Sequence, residues 1–184
     1  MKVTIPYTPR KQQAFIHTEL DKHRFSVLCC HRRFGKTVML INHLIKCCMM
    51  NRNHQPRFAY IAPTYSQAKK IAWDYLKFYT KGLPNTKYNE TELRCDFFNG
   101  ARITLLSSEN PDSIRGIYLD GVVCDEASQI SRELIDEVLR PAIADRKGWM
   151  SLCSTPKGMN NIFYDMYQKA QSNKDWFLYT ARAS

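Results

Sequence analysis

The chain has 184 residues, of which 44% are hydrophobic and 24% are charged. This balance excludes a mostly disordered or collagen-like chain and predicts one globular domain with a sizeable core. Lys and Arg number 27 against 17 Asp and Glu, and the net charge of +10 favours a polyanionic partner. We expect no membrane association, because no segment approaches the roughly 20 apolar residues of a membrane helix.

Strands and helices alternate along the chain. Short apolar runs predict buried strands, and apolar residues spaced by three and four predict helices. In chain order the predicted elements are strand 25–29, helix 37–50, strand 58–62, helix 66–79, strand 121–124, helix 132–144, strand 149–154, helix 160–171 and strand 176–179. Within 91–106, Asn99-Gly100 separates two strand-like runs and predicts a hairpin.

This alternation predicts an α/β fold. Continuously apolar strands are typical of a mostly parallel sheet that is covered by helices on both faces. The hairpin then adds an antiparallel pair at one edge. Ligands in such sheets bind at the carboxyl ends of the strands, so we expect the chemistry in the loops that follow them.

The first such loop resembles a phosphate-binding loop. Its residues are Cys30, His31, Arg32, Arg33, Phe34, Gly35, Lys36 and Thr37. They match the pattern G-x-x-x-x-G-K-[ST], with Cys30 in place of the first glycine. Gly35 allows a tight backbone turn, Lys36 can reach the β- and γ-phosphates, and Thr37 can offer its hydroxyl to Mg²⁺. We expect Cys30 to restrict the loop's freedom.

Polar residues follow two later strands. Val122 to Cys124 lead into Asp125 and Glu126, where Asp125 is predicted to hold Mg²⁺ and Glu126 to act as general base for the attacking water. Alternatively, this acidic pair caps the next helix. Ser154 and Thr155 end another strand and can reach the γ-phosphate or Glu126, although an ordinary helix cap and turn has the same pattern.

These elements in this order resemble the ATPase domain of the large terminase subunit of tailed bacteriophages, the motor that packages DNA. The likeness includes the arginine-rich loop, the apolar run before Asp125, Ser154-Thr155-Pro156, and Arg115-Gly116 ahead of the acidic pair. Residues 9–13 resemble the glutamine motif that reads adenine, with Gln13 as the better candidate by distance and Gln12 as the fallback.

The resemblance implies an ASCE/RecA-like P-loop NTPase with ATP and Mg²⁺ as cofactors. It implies Mg-dependent ATP hydrolysis that drives double-stranded DNA into a procapsid in the host cytoplasm. The implied partners are double-stranded DNA, the portal protein, the small terminase subunit and further copies in a ring, although the isolated domain could be a monomer. The family's nuclease domain would begin near Ser184, so we expect residues 1–184 to form a single motor domain without nuclease activity.

Two arginines are candidates for balancing charge at the γ-phosphate. Arg32 lies inside the phosphate loop and could act in cis. The resemblance implies that Arg115 could reach a neighbouring subunit's γ-phosphate in trans, and we favour Arg115. A loop salt bridge is the alternative for Arg115. Two other functions stay open: a helicase-like DNA translocase, and a non-hydrolysing nucleotide-binding protein whose phosphate loop has decayed at Cys30.

Overall fold

A computed structural model describes residues 4–181 of the chain. Its strands are β1 Phe25–Cys30, β2 Arg57–Ala62, β3 Lys87–Asn89, β4 Arg94–Asp96, β5 Arg102–Ser107, β6 Gly121–Cys124, β7 Trp149–Ser154 and β8 Trp176–Ala181. They form one sheet in the order β3-β4-β5-β2-β6-β7-β1-β8. The strands from β5 to β8 in this order pair in parallel, and β4 and β3 add antiparallel pairings at one edge. The predicted fold class is confirmed.

Helices cover both faces of this sheet. They are α1 Lys11–Leu20, α2 Lys36–Met50, α3 at residues 65–80, α4 at residues 132–144 and α5 Ile162–Ser172. Side chains of α1, α2 and α3 share one core cluster with Leu28 of β1. Those of α4 and α5 share a second cluster with Val27, the neighbour of Leu28. Because successive residues of a strand point to opposite faces, β1 is buried on both sides. Among residues 4–181, no helix combines the length and apolar character needed to cross a membrane.

Two predicted helices have the expected bounds to within one residue, but each contains a wider π turn. These turns are Ala68–Ala72 in α3 and Leu134–Leu139 in α4. In α4 the π turn comes just before Pro141, which has no backbone N–H and whose ring clashes with the carbonyl four residues earlier. A wider turn removes that clash, which accounts for the departure from regular α geometry there.

The sequence analysis did not predict α1. Its buried residues are Gln13, Ile16 and Leu20, so the face that packs inward includes a polar side chain and gives a weak apolar period. His17 contacts α2 through His43. The two Nδ1 atoms lie 3.1 Å apart, within hydrogen-bond distance, and the two rings stack. Burial lowers the pKa of His17 to about 4 and that of His43 to about 3, so both rings are neutral at pH 7.

The antiparallel edge confirms the predicted hairpin and extends it. β4 and β5 are joined by a turn in which Gly100 adopts a left-handed conformation (φ 80°). The sequence analysis missed β3, because this strand has three residues and none of them is buried. β8 continues two residues beyond the predicted end, where it pairs with the last residues of β1.

Candidate nucleotide site

The loops after β1, β6 and β7 lie together at one edge of the sheet. β7 pairs in parallel with both β1 and β6, so the carboxyl ends of all three strands are neighbours. They border a cleft of about 340 Å³. Its lining residues are Arg32, Thr37, Tyr60, Ala62, Pro63, Gln67, Ile71, Asp125, Glu126, Gln129, Thr155 and Lys157. Each of the three predicted segments therefore contributes residues to one cavity, namely Arg32 and Thr37, Asp125 and Glu126, and Thr155.

The phosphate loop turns through Gly35, which has a left-handed backbone (φ 82°) and immediately precedes α2. A Cβ atom on Gly35 would lie 2.7 Å from Nη2 of Arg10 and 2.9 Å from Nε2 of Gln13. Arg33 is also left-handed (φ 65°), and Phe34 is buried beneath the bend. Because the turn ends directly at Lys36, the positive N-terminal end of α2 lies at the loop, where it favours an anion.

Cys30 does not belong to the bend. It is the last residue of β1, pairs with Ala181 of β8, and has a fully buried side chain. His31 continues this pairing by donating its N–H to the Ala181 carbonyl at 3.3 Å. The left-handed residues of the loop are Arg33 and Gly35, so glycine is not required at position 30. The expectation that Cys30 restricts the loop is corrected by this backbone geometry.

Both predicted glutamines lie in α1, but only Gln13 faces the loop. Gln12 is exposed, whereas the Gln13 amide is buried and donates from Nε2 to the Phe34 carbonyl at 3.1 Å. Arg10 donates to the same carbonyl from Nη2. Arg10 lies within the segment 9–13 that resembles the glutamine motif, but the sequence analysis gave it no role of its own. Arg10 and Gln13 together hold the backbone just before Gly35.

Asp125 is buried and receives three hydrogen bonds. Thr37 Oγ1 donates to its Oδ2 at 2.9 Å, the Tyr60 hydroxyl donates to the same oxygen at 2.5 Å, and the N–H of Glu126 donates to Oδ1 at 2.9 Å. Burial raises the pKa of Asp125, and the bonds from Tyr60 and Thr37 oppose that rise. A hydroxyl and a carboxylate this close are the hard oxygen donors that suit Mg²⁺. The residues present therefore fit the predicted metal.

The carboxylate of Glu126 lies between Lys36 and Thr155. Glu126 adopts a left-handed backbone (φ 48°), which is unfavourable for a residue with a Cβ. Its Oε1 lies 3.7 Å from Nζ of Lys36, and its Oε2 accepts a bond from Thr155 Oγ1 at 3.4 Å. Although Glu126 precedes the short 3-10 turn Ala127–Gln129, its carboxylate contacts Thr155 and Lys36 instead of capping that turn.

Ser154 and Thr155 are both buried at the end of β7. Ser154 donates to the hydroxyl of Ser128 at 2.8 Å, and Thr155 contacts Glu126. The end of β7 is thus bonded at two points to the segment that follows β6. This arrangement brings Thr155 to the acidic pair and Ser154 to the turn that follows it.

The two arginine candidates lie in different places. Arg32 is exposed and lines the cleft. Arg115 borders a separate depression, where it donates to Asp112 at 2.6 Å and to Glu133 at 3.0 Å. The salt-bridge alternative for Arg115 therefore describes its contacts within one copy of the chain.

The fold and this cleft define a P-loop NTPase domain of the α/β class. A family model described as terminase large subunit, T4likevirus-type, N-terminal, matches residues 31–182. The chain belongs to this family, which confirms the resemblance inferred from its motifs.

Two large terminase subunits are among its relatives. That of Thermus phage G20c is 28% identical over 88% of this chain and 36% of that protein. That of Escherichia phage T5 is 29% identical over 87% of this chain and 37% of that protein. The chain thus spans little more than a third of the length of these relatives.

Solved structures share the fold. The large terminase ATPase domain of Thermus phage P74-26 has a TM-score of 0.80 and 24% identity, covering 96% of this chain and 82% of that one. The large terminase of a thermophilic bacteriophage, solved in complex with ADP, has a TM-score of 0.79 and 18% identity, covering 93% of this chain and 44% of that one. At these identities the likeness establishes the fold.

Replacing Gly35 by Ala should damage the phosphate loop. The new Cβ combines left-handed strain of about 1 to 2 kcal/mol with overlap against Arg10 and Gln13, so we expect lower stability and weaker nucleotide binding. Gly100→Ala is the matched control, because Gly100 has nearly the same φ but no atom within 4 Å of an added Cβ. Chemical denaturation and nucleotide titration measure both effects. Equal nucleotide affinity in the two variants would contradict the claim that Arg10 and Gln13 leave no room for a Cβ atom at position 35.

Proposed function

We propose that this chain is the Mg-dependent ATPase motor domain of a large terminase subunit, which powers the movement of double-stranded DNA into a viral procapsid. The observation that carries the proposal is the 2.9 Å bond between Thr37 and Asp125, with Lys36 and Glu126 meeting beside it. The family and the ADP complex of the thermophilic phage terminase support a nucleotide as the ligand. The net charge of +10 suits contact with DNA phosphates, which would be independent of sequence and sensitive to salt.

Different residues of the cleft are proposed to bind the metal, the phosphates and the adenine. Thr37 and Asp125 would hold Mg²⁺, which supplies charge neutralisation for the β- and γ-phosphates when it is bound. Lys36 is buried at the start of α2 and would pair with the same phosphates. The loop backbone and the end of α2 would add positive potential, and Gln13 is the residue proposed to reach the adenine.

Glu126 is proposed to take a proton from the attacking water. The water oxygen forms a bond to the γ-phosphorus, the bond from that phosphorus to the β–γ bridging oxygen breaks, and ADP leaves. In the present structure the carboxylate contacts Lys36 and Thr155. We expect Lys36 to turn to the γ-phosphate when ATP binds, which would release Glu126 toward the water.

The bonds at the end of β7 offer a route from hydrolysis to movement. Thr155 contacts the proposed base, and Ser154 contacts Ser128 in the segment after β6. A change at Glu126 during turnover would therefore alter contacts on a neighbouring strand. We propose that this pair couples hydrolysis to the motion that drives DNA.

The assembled motor is proposed to be a ring of copies that works with the portal protein and the small terminase subunit in the host cytoplasm. Within one copy, Arg32 lines the cleft and Arg115 is held elsewhere by Asp112 and Glu133. Arg115 is therefore proposed to serve the site of a neighbouring copy, where it would exchange these acidic partners for a γ-phosphate.

Two substitutions test the proposed ATPase activity together. Lys36→Ala should lose nucleotide affinity and turnover, because the phosphate charge is no longer balanced. Glu126→Gln should still bind ATP but lower kcat by about 10² or more, as expected when a general base is removed. ATP binding and phosphate release are measured with Mg²⁺. Lys46→Ala is the control, since Lys46 lies in the same helix and pairs with Asp21 on the surface. Near-normal turnover in both site variants would contradict the proposal.

Mixing inactive subunits tests whether Arg115 acts in trans. An Arg115→Ala subunit keeps an intact nucleotide cleft, and a Lys36→Ala subunit keeps Arg115. If the arginine acts across the interface, the mixture should hydrolyse ATP well above the sum of its parts, since such arginines contribute about 10³ or more to kcat. Sedimentation at the same concentration verifies assembly. An assembled mixture without rescue would mean that Arg115 only forms its salt bridge. Arg32 would then be the candidate for balancing charge at the γ-phosphate.

A further inference from the structure

Tyr60 belongs to none of the sequence motifs, yet its hydroxyl bonds Asp125, the carboxylate proposed to hold Mg²⁺. It lies in β2, which pairs with β6, and its register partner is Val123. Only 3% of Tyr60 is exposed, and its hydroxyl donates to Asp125 Oδ2 at 2.5 Å. A buried phenol oxygen is costly unless it finds a partner, and here the partner is Asp125.

The three donors to Asp125 differ in the oxygen that they bond and in whether they have another proposed role. The N–H of Glu126 belongs to the backbone and bonds Oδ1, while Thr37 and Tyr60 share Oδ2. Thr37 is itself a proposed ligand of Mg²⁺, so its hydroxyl would also contact the metal. Tyr60 is thus the side-chain donor to Asp125 that has no other proposed role in the reaction. Partners of this kind fix the orientation of groups that bind a metal directly or through its water.

We propose that Tyr60 is a positioning residue that orients Asp125 for the Mg²⁺ bound together with the nucleotide. This inference rests on the proposed function, because it requires Asp125 to serve a metal–nucleotide complex. It assigns Tyr60 no contact with the nucleotide. Loss of the hydroxyl should therefore weaken binding only where the metal contributes to it.

The test compares nucleotide affinity with and without metal. ATPγS is titrated by calorimetry into wild type and Tyr60→Phe, once with Mg²⁺ and once with EDTA. Wild type should bind more tightly with Mg²⁺, and Tyr60→Phe should reduce that gain about tenfold, the lower end of the usual cost of losing such a partner. Its affinity in EDTA should equal that of wild type, since the ring and the cleft are otherwise retained.

Tyr88→Phe is the matched control. The Tyr88 hydroxyl also bonds a side chain, Thr80 Oγ1 at 2.8 Å, but at the contact between β3 and α3. Both of its affinities should stay at the wild-type values. An unchanged metal gain in Tyr60→Phe, or an equal loss with and without metal, would overturn the positioning role. A wild-type protein with no metal gain would contradict the proposed function itself.

Discussion

The hydrogen bond between Thr37 and Asp125 joins the two halves of the site. These residues are 88 positions apart in sequence, and they meet because β1 and β6 flank β7 with all three strands parallel. Thr37 is fixed by the first turn of α2, and Asp125 by the end of β6. The proposed metal site depends on this register, because a shift of β6 by one residue would turn Asp125 away from Thr37.

Polar contacts from other elements hold the backbone turn on one side of this bond and the glutamate on the other. Gly35 and Glu126 have left-handed backbones, and each is braced by side chains from other elements. Arg10 and Gln13 hold the carbonyl before Gly35, whereas Lys36 and Thr155 contact the carboxylate of Glu126. The polar groups of the cleft are therefore held by contacts from several elements, and the contact between Lys36 and Glu126 is the one proposed to open when ATP binds.

Local patterns in the sequence predicted most of the parallel sheet and the three loops at its carboxyl edge, because apolar period and motif spacing are properties of short segments. They did not predict α1, whose buried face includes the polar Gln13, or β3, which has three residues and none of them buried. Tyr60 was missed for a different reason. Its partner Asp125 is 65 residues away and is reached only through the pairing of β2 with β6. The motif pattern counts Cys30 as part of the loop, but in the structure it is the last residue of β1.

A crystal structure with ATPγS and Mg²⁺ tests the central claim most directly. The account predicts density for the triphosphate against the loop from His31 to Gly35, with Lys36 at the terminal phosphate. The metal should lie at the Thr37 hydroxyl, with Asp125 beside it or bonded to its water. A nucleotide bound elsewhere on the sheet, or a metal that avoids both Thr37 and Asp125, would contradict the account.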